Sequence, residues 1–253
     1  MRIVKFSYRK KEGWGVLKDA IIIKVLEKDP FTSLKYSGRE LSLREVDICA
    51  PASPTKIVLV GLNYRRHARE LKMKIPKNPI LFLKPPSALI TVGDHIVYPP
   101  GVKRLDYEGE LALVIKKQIK NVSAHEALKS VLGYTCLNDV TARDIQTQDG
   151  QWTRAKSFDT FCPVGPWVVP GLDPRSLTLT TLLNGKEVQH SCTDDFVCGV
   201  EKLIWFISRV MTLFPGDIIS TGTPQGVGPM RPGDEVTVEI EGIGPLVNTV
   251  TRP

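Results

Sequence analysis

Only one segment of this chain sustains a helical apolar period. Val197, Val200, Leu203, Ile204, Ile207, Val210, Met211 and Phe214 recur mostly at three- and four-residue spacing, and Pro215-Gly216 ends the run. Elsewhere the apolar residues come in short runs cut by turn residues. With 20 Gly and 19 Pro in 253 residues, turns are frequent and long helices have little room. Strands are expected at Arg2–Tyr8, Trp14–Lys18, Ala20–Leu26, Ile57–Val60 and Ile80–Leu83. Further strands are expected at Tyr107–Ile115, Val131–Leu137, Ile218–Ser220 and Glu235–Ile240. Asn184-Gly185, between Leu177–Leu183 and Val188, marks a hairpin. Shorter helices are expected at Tyr64–Lys74, stopped by Pro76 and Pro79, and at Ala124–Ser130. The class is therefore mixed, β-rich α+β. Pro51 and Pro54 set off a small N-terminal β domain, 1–52, from a larger domain, 53–253.

Composition excludes several classes. Hydrophobic residues are 42% and charged residues 24%, as in a globular protein and unlike a disordered or fibrous one. The most apolar long stretch, Phe196–Phe214, is interrupted by Glu201, Lys202 and Arg209, so no bilayer span is expected. The N-terminus is charged where a signal peptide would be apolar, and five Cys form no CxxC pair. A cytoplasmic protein with reduced thiols is expected. The formal charge is +7, but the basic residues are scattered. The densest patch, Arg9-Lys10-Lys11, has no interleaved aromatics, so nucleic acid is not the expected partner. A positive balance also draws small acidic substrates.

Five constellations carry possible chemistry. Glu108-Gly109-Glu110 lies within an apolar strand, where period-2 alternation turns both carboxylates to one face. Two neighbouring carboxylates repel, and a hard cation such as Mg²⁺, Mn²⁺ or Ca²⁺ removes that cost. Glu239-Ile240-Glu241 has the same spacing beside Gly-Pro turns and reads as an exposed face. Asp139, Arg143 and Gln146 fall at i, i+4, i+7 and would share a helix face; Asp139 could add a third carboxylate, or cap the helix and pair with Arg143. His67 and Glu70 are i, i+3 neighbours on a helix, the arrangement of an oriented general base or of two surface groups. Lys156 sits among Trp152, Ala155 and Phe158, so burial would require an anionic partner. Thr221–Gly228 is rich in Gly, lacks the P-loop ending, and can bring backbone N–H groups to an anion or simply turn.

The order of these segments is more specific than any one of them. Gly61-Leu62-Asn63-Tyr64 with His67, Phe82-Leu83-Lys84-Pro85, Tyr107-Glu108-Gly109-Glu110-Leu111, Asn138–Asp144, Lys156–Phe161 and Thr221-Gly222-Thr223-Pro224 together resemble the fumarylacetoacetate hydrolase superfamily over roughly residues 50–250. The resemblance implies a β-sandwich roll, often homodimeric, preceded by a short N-terminal extension. It implies Mg²⁺ or Mn²⁺ on Glu108, Glu110 and Asp139, an active-site Lys156, and a His67–Glu70 dyad on a lid. It places Arg143, Gln146 and Thr223 on the substrate side.

The implied substrate is a small 2-oxo acid, often a dicarboxylate. The implied chemistry is a metal-stabilised enolate leading to hydrolysis of acylpyruvates or decarboxylation of oxaloacetate. The alternatives are an isomerase of the 2-hydroxyhepta-2,4-diene-1,7-dioate type and a non-catalytic ligand-binding module on the same scaffold. One stretch departs from the family pattern. Where a Met is expected near 195, this chain has Thr193-Asp194-Asp195-Phe196.

Overall fold

A computed structural model describes every residue except Ala20. Ala20, the start of the expected run Ala20–Leu26, lies outside the described residues. The strand there is Ile22–Leu26.

The central strand, Gly109–Ile115, is buried at all seven positions. Leu111, Leu113 and Ile115 enter one core, and Ala112 and Val114 enter another on the opposite face. A strand covered on both sides has no polar face, which is why its sequence is almost continuously apolar. It lies in a large mixed sheet. From one edge the order is Tyr36–Ser42, Ile22–Leu26, Lys11–Leu17, Arg2–Tyr8, Cys162–Val169 and Val131–Asn138. Then come Gly109–Ile115, Ile218–Ser220, Ile57–Gly61 and Ile80–Lys84.

A five-stranded sheet packs across the first core: Lys186–Cys192, Thr178–Leu183, Glu235–Ile240, Gly244–Thr251 and His95–Val97. Val238, Ile240 and Leu246 meet Leu111 and Leu113 there, while Glu235 and Glu239 point to solvent. The exposed second acidic pair is thus the ordinary outer face of a half-buried strand. Helix Val200–Val210 closes this core with Val200, Leu203, Ile204 and Ile207. It is shorter than the apolar period, because Met211 returns to extended backbone. Asn184 (φ 52) and Gly185 (φ 75) form the tight turn of the expected hairpin.

The first fifty residues form an antiparallel meander joined to the large sheet at Ile3↔Val168. Ile3, Val16 and Leu26 share a core with Leu59, Val114 and Val164. A short three-stranded sheet, Thr141–Ala142, Leu105–Tyr107 and Gly228–Met230, sits at one end of the large sheet. No helix among the described residues is long and apolar enough to cross a membrane.

Candidate active site

The acids gather where the chain changes sheets. Leu105–Tyr107 pairs in the three-stranded sheet and Gly109–Ile115 in the large one, so Glu108 is the crossing residue. The neighbouring chain crosses at the same level, from Val131–Asn138 to Thr141–Ala142, which places Asp139 beside it. The Asp139 N–H donates to the Glu108 carbonyl at 2.8 Å. Glu110 follows on the central strand and accepts from the Ser220 hydroxyl and from Gly222 N at 2.9 Å. One carboxylate oxygen from each of Glu108, Glu110 and Asp139 lies within 4.8 Å of the others, and all three residues are buried. Gly109 is required between them: a Cβ there would sit 2.3 Å from Thr181 Oγ1. Its N–H donates to Gln189 Oε1 at 3.0 Å.

Three cations balance these acids. Lys156, at the end of the short helix Thr153–Lys156, donates to Glu108 Oε2 (3.0 Å), Asp139 Oδ2 and Thr141 Oγ1 (2.8 Å). Its Nζ also lies 4.9 Å from the centre of the Phe82 ring. Arg143 bonds Asp106, Glu108 and Gln146 Oε1. Lys84 is wholly buried, with Nζ 2.8 Å from Asp139 Oδ1. Two of its three hydrogens go to the carbonyls of Val140 (2.9 Å) and Phe161 (2.6 Å), and the ammonium forms an ion pair with Asp139 Oδ1.

These surroundings separate the carboxyl groups. Burial favours a neutral Glu108, but Lys156 and Arg143 overcome it and hold its pKa down at about 2. Burial and the Asp139 charge push Glu110 well above the usual carboxylate range. Burial works against a charged Lys156, yet Asp139 and Glu108 keep its pKa above the ordinary lysine value.

His67 and Glu70 come from the helix Arg65–Glu70. The helix stops four residues before the expected Lys74, because Lys72 adopts φ 52, outside helical space. His67 Nδ1 lies 2.9 Å from Glu70 Oε2, leaving Nε2 for chemistry. Gly226 N donates to Glu70 Oε1 at 3.1 Å, tying this helix to the loop after Thr223. The three acids, Lys156, Arg143, Gln146, His67 and Thr223 share one cavity of about 340 Å³. A larger hollow of about 580 Å³, lined by Phe6, Trp14 and Arg39 of the N-terminal meander, contains none of them.

Two expectations need correction. Asp139, Arg143 and Gln146 do not share a helix face, because the helix begins only at Arg143. Asp139 lies in the connection before it and pairs with Lys156, so it is neither a helix cap nor an i, i+4 partner of Arg143. The Tyr107–Ile115 strand is broken at Glu108. The break brings the carboxylate oxygens closer than the roughly 7 Å spacing along a regular strand.

Thr223 lines the cavity, but its hydroxyl donates to the Gly109 carbonyl at 3.0 Å and accepts from Gln189 Nε2 at 2.9 Å. Asp195 Oδ2 accepts from Arg66 N at 2.9 Å, so the departure from the family pattern sits at the root of the His67 helix. Sequence reasoning assigned no role to Lys84, Asp106 or Gln189. Lys84 had a signal, a lysine inside the apolar run Ile80–Pro85. Gln189 had none, since it occupies an ordinary hairpin strand.

Known proteins share this fold. Residues 56–251 match the family model for the fumarylacetoacetate hydrolase C-terminal domain, and residues 1–51 match an Rv2993c-like N-terminal model. An uncharacterized protein of Methanocaldococcus jannaschii is 54% identical over 84% of this chain and 87% of its own. The mitochondrial oxaloacetate tautomerase of Rattus norvegicus is 43% identical over 87% of this chain and 76% of its own. The crystal structure of a 5-carboxymethyl-2-hydroxymuconate delta-isomerase from Mycobacterium smegmatis superposes with a TM-score of 0.95 at 41% identity, covering 100% of both chains. The chain belongs to the fumarylacetoacetate hydrolase family. That is a family of enzymes whose members typically use a divalent metal, and this chain carries a candidate acidic site for one.

Proposed function

We propose that this chain is a divalent-cation-dependent enzyme acting on a small 2-oxo acid through its enolate. Mg²⁺ or Mn²⁺ would be held by Glu108, Glu110 and Asp139. The observation that carries the reading is the meeting of these three buried carboxylates with Lys156 and the His67–Glu70 pair in one cavity. The donor set fits a hard cation: all oxygen and all buried, with one oxygen from each acid within 4.8 Å of the others.

When bound, the cation supplies Lewis acidity that stabilises negative charge on the enol oxygen. Lys156 adds fixed positive charge beside that oxygen. Gln146 gives Oε1 to Arg143, which leaves its NH₂ free to donate to the substrate. Arg143 adds charge from the same side. Thr223 serves as wall, since its proton is committed to Gly109. His67, oriented by Glu70, takes or returns the proton at C3 or activates water through Nε2. In this reading residues 53–253 carry the chemistry and residues 1–52 extend the large sheet. The working unit is a homodimer, which light scattering tests directly.

Water attack on an acylpyruvate gives hydrolysis, and loss of CO₂ from oxaloacetate gives decarboxylation. A second reading is favoured by the relatives. The tautomerase and the delta-isomerase bear names of reactions that move a proton across an enol without breaking a C–C bond. One experiment separates the outcomes. Pyruvate release and enol absorbance are followed on oxaloacetate and acetylpyruvate, with Mg²⁺ and with excess EDTA, each against its no-enzyme background. Metal-dependent pyruvate release supports cleavage, and metal-dependent enol loss without release supports tautomerisation. Binding without any turnover, there or on a conjugated dienol dicarboxylate, leaves the binding-module reading and overturns the proposal.

A further inference from the structure

The cavity has two kinds of lining. One carries the acids, Lys156, Arg143, Gln146 and His67. The apolar lining is Leu62, Leu71, Met73, Phe82 and Trp152, of which Phe82 and Trp152 lie against Lys156 Nζ, 4.9 and 6.0 Å from their ring centres. Leu71 and Met73 follow directly on the helix of His67 and Glu70, in a stretch where apolar residues alternate with Lys72 and Lys74. The apolar row is the one turned to the cavity; neither lysine lines it. The backbone sets this orientation. Leu71 N donates to the His67 carbonyl at 3.1 Å, Met73 N donates to the Ala68 carbonyl at 2.9 Å, and Lys72 takes the left-handed turn between them. Leu71 and Met73 nevertheless stay 46% and 50% exposed, so a ligand covering them gains hydrophobic free energy.

The cations that line this cavity are all paired. Among the described residues lining the cavity, the cations are Arg143 and Lys156, and both are engaged. Arg143 pairs with Asp106 and Glu108, and Lys156 with Glu108 and Asp139. His67 is held by Glu70. A long 2-oxo dioate whose head sits at the acids and whose tail reaches Leu71 and Met73 would bring its second carboxylate against their side chains, without a partner. Desolvating an unpaired carboxylate is strongly unfavourable. An alkyl or aryl end at the same place is favoured.

We propose that Leu71 and Met73 determine specificity by reading the far end of the substrate. The site takes 2-oxo acids ending in an uncharged alkyl or aryl group in preference to dioates of the same length. This rests on the 2-oxo acid reading above and chooses among its substrates.

Calorimetric titration of the Mg²⁺-loaded protein tests it with three probes: oxalate, 2-oxoheptanoate and 2-oxopimelate. Oxalate reports the head-group site alone. The expected result is Mg²⁺-dependent oxalate binding, with 2-oxoheptanoate bound about tenfold or more tighter than 2-oxopimelate. Leu71→Arg combined with Met73→Arg reverses that order, and Leu71→Ser combined with Met73→Ser narrows the ratio. Oxalate binding with equal or tighter binding of the dioate overturns this inference and leaves the 2-oxo acid reading intact. So does an order that neither double variant changes. Failure of oxalate to bind in Mg²⁺ removes the 2-oxo acid reading, and this inference with it.

Discussion

Lys84 Nζ lies 2.8 Å from Asp139 Oδ1, and both side chains are wholly buried. The lysine comes from the edge strand Ile80–Lys84 and the aspartate from the crossing after Val131–Asn138. Lys84 also donates to the Val140 and Phe161 carbonyls, so one buried ammonium offsets the Asp139 charge and satisfies two backbone oxygens. Lys84→Met would leave a buried carboxylate less compensated and two carbonyls unpaired. The expected loss is roughly 3–5 kcal/mol of stability, read from urea unfolding of the metal-free protein. Unfolding indistinguishable from the native protein would show that the lysine is not needed there.

Glu110 gives a signed pH dependence. Its folded pKa lies well above that of an unfolded carboxyl, because burial and Asp139 disfavour its charge. The metal-free protein therefore holds this proton more tightly than the unfolded chain. The stability from this group is present at low pH and is lost as pH rises through the raised pKa. Glu110→Gln removes that part of the loss, so the metal-free variant matches or exceeds the native urea midpoint at pH 8. Equal slopes between pH 5 and 8 in the two proteins would contradict it.

The same proton must leave before a cation binds. Mn²⁺ affinity is expected to climb with pH by up to about tenfold per unit and to level off above the raised Glu110 pKa. Glu108, held down at about 2, contributes nothing to that slope. Electron spin resonance titration of free Mn²⁺ measures it. A flat affinity across pH 5–8 would be inconsistent with Glu110 as a ligand.

His67→Ala is expected to lower turnover by roughly 10²–10⁴-fold while Mn²⁺ affinity stays within error. Glu70→Gln keeps a hydrogen-bonding group near Nδ1 and Gly226 N, so its loss is smaller. A parallel loss of Mn²⁺ binding in His67→Ala would assign the histidine to the cation site instead of proton transfer.

Asp195 accepts from Arg66 N at the root of the His67 helix. Asp195→Ala is expected to cost about 1 kcal/mol, as loss of a helix cap does, and to lower kcat/KM several-fold at unchanged Mn²⁺ affinity. Asp195→Asn, which still accepts, restores most of the rate. If Asn and Ala behave alike, the hydrogen bond does not position the dyad.

Several features were legible before the fold was known because they are local. The Asn184-Gly185 turn, the alternation of Glu235–Ile240 and the strand at Ile218–Ser220 need only neighbours in sequence. Glu108 and Glu110 were legible as a pair for the same reason, and the ordered motifs pointed to the family. The shared helix face for Asp139, Arg143 and Gln146 was misread, because spacing cannot show that the chain crosses between sheets at Asp139. Gln189 was invisible: its partners Thr223 and Gly109 lie 34 and 80 residues away.

The β-rich class, the short elements and the inventory of reactive groups follow from local sequence, since periodicity and turn chemistry act over a few residues. Which groups meet depends on long-range strand pairing. Glu110 finds Ser220 across 110 residues, and Lys156 finds Glu108 across 48. The same pairing also sets what those meetings do to each charge. Burial raises Glu110 while Lys156 and Arg143 lower Glu108, a division between two nearly adjacent glutamates that depends on solvent exclusion and on partners brought from distant strands.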